Sequence, residues 1–399
     1  MNTCPTNIEV SPAADRHVRH WVQSVADPSA VRQMDEPAWR TLSRRLLQLE
    51  EIESPQYYAD NCWEPTLYSC EGHWAGEWEH RLLGTARRVT WPEGKRFAVC
   101  LTHDVDHLRP NLFVERARGV VAHHGETLTR RLRLAASGFR HLARWPRNGK
   151  TVYSLSSWLD EEMRYGFRST LFFLPMLPIR PHFSDGLYRP SDLVGFRGKQ
   201  RPVSDVIREL AREGWDVGIH GSIESATNLR VAAEERERLC EMAGVEITSG
   251  RQHYLTYRSP LTARIHEAIG VRADSSLGSN VTPVCYRCGL GLPYPMYDHG
   301  ADRPMNLIQV PLIAQDNPLL AAAGFDIDRA TEMVVTALRA AAERGSMLTL
   351  LFHTNHSPES PCFQLYRRTL AAAAELGAWG CSVEQARCWL LNRLKRQAA

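Results

Sequence analysis

The chain has 399 residues, 43% of them hydrophobic and 23% charged, with a formal net charge of +3. That composition excludes disordered and collagen-like chains and fits an ordinary globular protein, while the small net charge excludes a general affinity for nucleic acid or acidic membranes. The length predicts one catalytic domain with an appended module.

Residues 1–9 lack a basic stretch followed by an apolar one, and no apolar run reaches the ~18 residues needed to cross a bilayer. Neither secretion nor membrane insertion is expected. The ten cysteines are scattered without the dense spacing of a disulfide scaffold and read as reduced thiols of a cytoplasmic protein. Cys285 and Cys288 form a lone C-x-x-C, expected to be structural packing rather than a zinc or redox site.

Residues 1–94 are rich in Trp, Arg and Glu, contain a helical stretch over 38–51, and end at the turn signal Trp91-Pro92-Glu93-Gly94. They are expected to form a mainly helical N-terminal module or cap. From residue 95 to 399 short apolar runs alternate with amphipathic stretches, the pattern of an α/β fold. A buried strand over 97–101 leads into a basic insertion over 107–150, where Arg116, Arg118, Arg130, Arg131 and further arginines face few acids. Two readings stand for that segment: a solvated helix face, or a patch for a phosphate-bearing or anionic substrate or surface.

The pattern then predicts a helix over 154–165, a strand over 170–174, a helix over 203–213 stopped by Gly214, and a strand over 215–219. A helix over 232–243 stopped by Gly244 and a strand near 245–247 follow, then a helix over 262–269 stopped by Gly270 and a short strand over 271–273. Late in the chain come a helix over 328–344 and an apolar strand over 347–352. A closing helix begins at Ser382, whose Ser-x-x-Gln pattern with Gln385 is a capping box.

In β/α folds reactive side chains sit where parallel strands end. The first strand runs into Thr102-His103-Asp104-Val105-Asp106. Asp104 and Asp106, two apart, share a face, and two carboxylates so close call for a cation unless they form a surface turn. The next site-bearing strand ends on His220; were the chain to turn helically there, His220 and Glu224 would fall on one face and chelate one ion, the alternative being a buried histidine bonded to backbone. Arg251-Gln252-His253-Tyr254, Asp274-Ser275-Ser276 and His353-Thr354-Asn355-His356 follow later strands. Each alone reads as a surface loop; together, at successive strand ends, they read as an active site.

These ordered motifs, over roughly 96–388, resemble the polysaccharide deacetylase superfamily, carbohydrate esterase family 4, which includes chitooligosaccharide and peptidoglycan N-deacetylases. The resemblance implies a distorted (β/α) barrel. It makes Asp104 the catalytic base and Asp106 a metal ligand, in an Asp-x-Asp variant of the first motif. His220 to Glu224 occupies the place of a His-x-x-x-His metal pair, with Glu224 standing for the second histidine. Arg251 matches the arginine paired with the base, Tyr254 the residue whose backbone N–H binds the oxyanion, with His253 in place of a proline between them. Asp274 matches the carboxylate that tunes the catalytic histidine, and Leu351-Phe352-His353 makes His353 the general acid, with His356 a neighbouring competitor.

The implied function is metal-dependent removal of an N-acetyl or other N-acyl group from an amino sugar, a small molecule containing one, or a glycan precursor. The ion expected is zinc, with cobalt, nickel, manganese and iron as alternatives, bound by Asp106, His220 and Glu224. The expected partner is a carbohydrate, anionic if the arginine segment meets a phosphate. The rival reading is a non-catalytic carbohydrate-binding relative that lost its metal, which Glu224 in place of a histidine favours. A nucleic-acid role lacks aromatic residues interleaved with the arginines.

Overall fold

In the computed structural model, residues 8–53, 77–83, 89–109, 152–174, 185–186 and 188–398 are described. Beyond Arg109, the arginine-rich insertion lies outside them. Among the described residues five helices precede the first strand: α1 (Pro12–Val25), α2 (Pro28–Gln33), α3 (Glu36–Leu46), α4 (Leu49–Ile52) and α5 (Glu77–Leu83). The first three start in the same way. Ser11, Asp27 and Asp35 each accept a backbone N–H, and each helix has a proline in its first turn, where no amide partner is lost. The helix expected over 38–51 is broken in two, because Gln48 takes a left-handed conformation at φ 57°.

The remaining elements are β1 (Phe97–Val105), α6 (Leu155–Met163), β2 (Thr170–Phe173), β3 (Leu193–Phe196), β4 (Lys199–Pro202), α7 (Val203–Arg212), β5 (Asp216–Gly221), α8 (Leu229–Ala243), β6 (Ser249–Gln252), α9 (Leu261–Ala268) and β7 (Ala273–Asp274). They continue with β8 (Tyr294–Asp298), β9 (Arg303–Gln309), β10 (Ala314–Gln315), α10 (Asp316–Ala322), α11 (Ile327–Arg344), β11 (Met347–Leu351), α12 (Pro361–Glu375), β12 (Ala378–Cys381) and α13 (Val383–Ala398). Ten strands form one curled, mostly parallel sheet in the order β10-β11-β1-β2-β5-β6-β7-β9-β8, with β12 beside the first half of β1. Only β8 and β9 pair antiparallel within it. This is the expected α/β architecture: an open, distorted barrel with helices outside and an N-terminal helical region.

Every residue of β1 is buried, as a central strand covered on both faces requires. Gly244 and Gly345 end α8 and α11 in the left-handed conformation, and the Ser382–Gln385 capping box forms reciprocally: the Ser382 N–H donates to Gln385 Oε1 at 2.9 Å and the Gln385 N–H to Ser382 Oγ at 3.2 Å. Two short strands lie later than their patterns predict. Residues 245–247 are a connection and β6 begins at Ser249; the strand expected over 271–273 begins at Ala273. In strands this short, hydrogen-bond register with the neighbours sets the limits more than side-chain pattern does.

The N-terminal helices share the core of the sheet: Val18, Trp21, Trp39 and Leu42 belong to the same apolar cluster as Phe172, Ile308 and Leu390. Trp21 Nε1 donates to the Pro293 carbonyl at 3.1 Å. Arg287, with a fully buried side chain, donates to both oxygens of Glu51 in α4, at 2.8 and 3.0 Å. Deleting one member of a buried pair strands the other, so Arg287→Ala is expected to cost about 3–5 kcal/mol, read as a lower urea midpoint for the whole chain. An unchanged midpoint would mean that this pair is solvated in solution. Cys285 and Cys288, close to Arg287 in the chain, are both buried, and burial pushes the Cys288 thiol up to about 12.

Candidate metal centre and its flanking acid–base groups

The carboxyl ends of β10, β11, β1, β5 and β6 meet at one side of the sheet, and the candidate residues are gathered there. Asp104 and Asp106 project from the end of β1 to the same side. His103, between them, points to the opposite side, where its Nε2 lies 2.9 Å from Glu162 and its Nδ1 donates to the Phe352 carbonyl at 2.8 Å. His220 comes from β5 and His253 from the turn after β6. Asp106, His220 and His253 offer ligand atoms that all lie within 4.8 Å of one another, all three residues buried, so together they could hold a metal ion.

The orientation of the two rings fits that role. His220 Nδ1 donates to the Arg251 carbonyl at 3.1 Å, and His253 Nδ1 to Asp185 Oδ1 at 3.1 Å. Each Nε2 is thereby turned toward Asp106 Oδ1, at 3.2 Å from His220 and 3.7 Å from His253. Ligand histidines are commonly held this way, with the far nitrogen on a carbonyl or carboxylate. Asp106 Oδ1 itself is buried without a well-directed donor, as a carboxylate oxygen reserved for a cation is. Burial opposes ionisation of Asp106, but the neighbouring His253, His220 and His353 hold it well below the usual carboxylate range. Burial likewise works against protonation of His220, yet Asp104 and Asp106 raise it, so a proton and a cation compete for this position.

Asp104 stands beside the cluster, its Oδ2 3.6 Å from His220 Nε2. Its other oxygen accepts from Arg251 Nη1 at 3.0 Å. Arg251 is fully buried and all its nitrogens are used: Nη1 also donates to Thr102 Oγ1, Nε to the Ser275 carbonyl and Nη2 to Ser275 Oγ, at 2.8, 2.9 and 2.8 Å. The guanidinium lies 4.7 Å from the centre of the Phe172 ring on β2. Gly218 on β5 makes room for that ring, since a Cβ there would come within 2.5 Å of it. The glycine inside an apolar strand is therefore part of the support under Asp104.

His353, just after β11, places Nε2 3.6 Å from Asp106 Oδ2. Its Nδ1 bonds Asp316 Oδ1 and its backbone N–H donates to Asp316 Oδ2, both at 2.8 Å. Burial would lower His353, but Asp316, followed by Asp106 and Asp104, raises it to about 10, while Asp316 is lowered to about 2 against its own burial.

Two expected assignments are corrected here. Glu224 does not join the metal cluster, because the chain does not turn helically after His220: β5 continues through Gly221, and Glu224 opens a short 3-10 turn where its Oε1 accepts from Asn228 at 3.1 Å. His253 takes the third position. Nor does Asp274 support His353. It lies on β7, bonded to Ser276 and 2.9 Å from His266, and the carboxylate on His353 is Asp316 from α10. His253 was visible as a histidine where the resembled motif has proline, in the same sequence that lacks the usual second histidine four residues after His220. Asp185 and Asp316 had no signal in their spacing.

Tyr254 follows His253 with φ 55°, and its carbonyl accepts from Asn280 Nδ2 at 2.8 Å. Tyr254 is 52% exposed and lines a cleft of about 330 Å³ together with Asp104, Asp106, His220, His253 and His353. The lining includes the carboxamides of Asn280, Gln315, Asn317 and Asn355, and no described residue in it is Lys or Arg.

No protein-family model matches the chain, and no curated protein matches it. Solved structures do. A protein of Mycobacterium smegmatis described as a polysaccharide deacetylase is 19% identical, covering 78% of this chain and 95% of that one, with a TM-score of 0.49. An allantoinase is 14% identical over 75% of this chain and 91% of its own, with a TM-score of 0.47. A peptidoglycan deacetylase of Bacillus subtilis is 12% identical over 76% and 98%, with a TM-score of 0.36. At these identities the likeness concerns the fold. Among the described residues no helix is long and apolar enough to cross a membrane.

Proposed function

We propose that this chain is a metal-dependent hydrolase that removes an N-acyl group, acetyl in the simplest case, from an amino sugar or a glycan precursor containing one. The observation that carries this reading is the placement of an arginine-held carboxylate and a carboxylate-held histidine each within 3.6 Å of a member of the Asp106, His220 and His253 cluster. Two nitrogens and one carboxylate oxygen suit Zn²⁺, with cobalt, nickel, manganese or iron as alternatives. A divalent ion held there supplies a Lewis acid for the acyl carbonyl and makes water at the same place more acidic.

The chain's own groups then divide the proton work. Asp104, aimed by the Arg251 guanidinium on its other oxygen, accepts the proton of the attacking water at Oδ2, the oxygen nearer His220. By the resemblance, the Tyr254 backbone N–H is the donor for the oxygen that becomes negative in the tetrahedral intermediate. His353, protonated at neutral pH through Asp316, gives its Nε2 proton to the leaving amine, and the acyl group departs as its carboxylate. The carboxamides in the lining and the exposed Tyr254 suit a neutral polyhydroxylated substrate, hydrogen-bonded by amides and covered on one face by the aromatic residue. The absence of a cation from the described lining speaks for a neutral sugar at the reacting end, and the Glu224 substitution that favoured a metal-free binding protein loses its force once His253 stands in the third position.

The test is acetate release from N-acetylated amino sugars and their oligomers by the metal-loaded protein. Asp104→Asn is expected to keep the metal and lose on the order of 10²–10⁴-fold in turnover. A metal-loaded protein that releases acyl groups from none of these substrates would sink the reading, and full turnover by Asp104→Asn would remove Asp104 from its role.

A further inference from the structure

Asp316 is shared between two groups of side chains. Toward the cleft it holds His353; away from it, Asp316, His356 and Cys362 offer a second set of ligand atoms within 4.8 Å of one another. They come from three places in the chain: the start of α10, the loop after β11 and the first turn of α12. Cys362 is 1% exposed and directs its S–H to Asp316 Oδ2 at 3.2 Å. His356 is partly buried, and its ring makes no hydrogen bond among the described residues. Burial holds its basicity below the ordinary value, which leaves a neutral imidazole with a lone pair to give.

Cys362 gives this set a sulfur ligand beside an imidazole and a carboxylate, which suits a thiophilic ion and distinguishes it from the nitrogen and oxygen set at Asp106. We propose that Asp316, His356 and Cys362 form a second, inhibitory site for a thiophilic divalent ion such as Zn²⁺ or Cd²⁺, whose occupation withdraws Asp316 from His353. Binding breaks the Cys362 S–H bond, forms a sulfur–metal bond and releases the proton to buffer, so it strengthens as pH rises. With Asp316 drawn to the ion, His353 loses the carboxylate that holds its Nδ1 at 2.8 Å and keeps its Nε2 turned toward Asp106. The inhibitory consequence rests on the reading of His353 as proton donor; the site itself does not.

Titration with Cd²⁺ alone separates the two. The wild-type protein is expected to bind two equivalents, the second accompanied by a near-ultraviolet thiolate-to-cadmium charge-transfer band, since the Asp106, His220 and His253 set holds no sulfur. Asp106→Ala should lose the first equivalent and keep the band. Cys362→Ser, nearly isosteric, and His356→Ala should each keep the first equivalent and lose the band, whereas Cys388→Ser, which removes an exposed thiol, should keep it. No band at saturating Cd²⁺, or a band that survives Cys362→Ser or His356→Ala, overturns the site. In protein active on an N-acyl amino sugar, turnover should fall by on the order of 10²-fold as the band grows, and Cys362→Ser should resist this. A band without inhibition overturns the coupling to His353, and a protein with the band but no hydrolytic activity under any condition points to failure of the proposed function rather than of the site.

Discussion

Replacing His253 with alanine is expected to reduce the bound divalent metal of the purified protein from one equivalent at the Asp106 cluster to almost none, while Glu224→Gln leaves it unchanged. The expectation follows from the positions of the two side chains: His253 Nε2 faces Asp106 Oδ1, and Glu224 is engaged with Asn228 outside the cluster. Losing a supporting residue behind a ligand typically costs about 10–100-fold in metal affinity, and losing one of only three protein ligands should cost more. The loss should be reported by metal analysis and by turnover together, and far-ultraviolet circular dichroism should show an unchanged fold. Metal loss in Glu224→Gln with retention in His253→Ala would restore the pair spaced four residues apart that the sequence suggested.

The second large effect concerns Asp316. Asp316→Asn is expected to lower turnover by on the order of 10²–10⁴-fold, the range for losing general acid–base assistance, with a much smaller effect on metal content. It should also shift the alkaline limb of the turnover profile. His353 is raised from its ordinary 6.5 to about 10 chiefly by Asp316, so removing that negative charge brings the limb to lower pH. A cation on Asp106 cancels part of the remaining pull, so the limb of metal-loaded wild-type protein should lie below 10. An alkaline limb that does not move in Asp316→Asn would assign it to another group. Asp274→Asn, by contrast, should leave the limb where it is.

The same pair makes stability depend on pH at both extremes. The raised His353 binds its proton more tightly folded than unfolded, so its contribution is complete below pH 6.5 and is lost as pH rises toward about 10. Asp316 is lowered from 3.8 to about 2, so its contribution is present above 3.8 and is lost as pH falls toward about 2.

What could be read in advance divides along the range of the interactions involved. The alternation of strands and helices, the glycines that end α8 and α11 and the capping box of α13 were legible because each depends on residues a few positions apart. The Asp104 and Asp106 pair was legible for the same reason: a strand puts alternate residues on one side, and the side chains kept that geometry through the strand end. The helix over 38–51 was misread because a single left-handed residue, Gln48, breaks it without a glycine to announce the break. The antiparallel pair β8 and β9 carried no such signal either.

By itself, then, the amino-acid sequence determined the α/β alternation and the strand ends where Asp104, Asp106, His220, Arg251 and His353 gather, since periodicity and terminators are local properties, and the resemblance carried by the order of its motifs implied the barrel. Only the tertiary structure decided that His253 rather than Glu224 completes the metal cluster and that Asp316 rather than Asp274 supports His353. Those partners come from different strands and helices, and their meeting depends on the turn taken after β5, the register of β6 against it, and the entry of α10 beside β11. None of these is set by the spacing of residues along one segment.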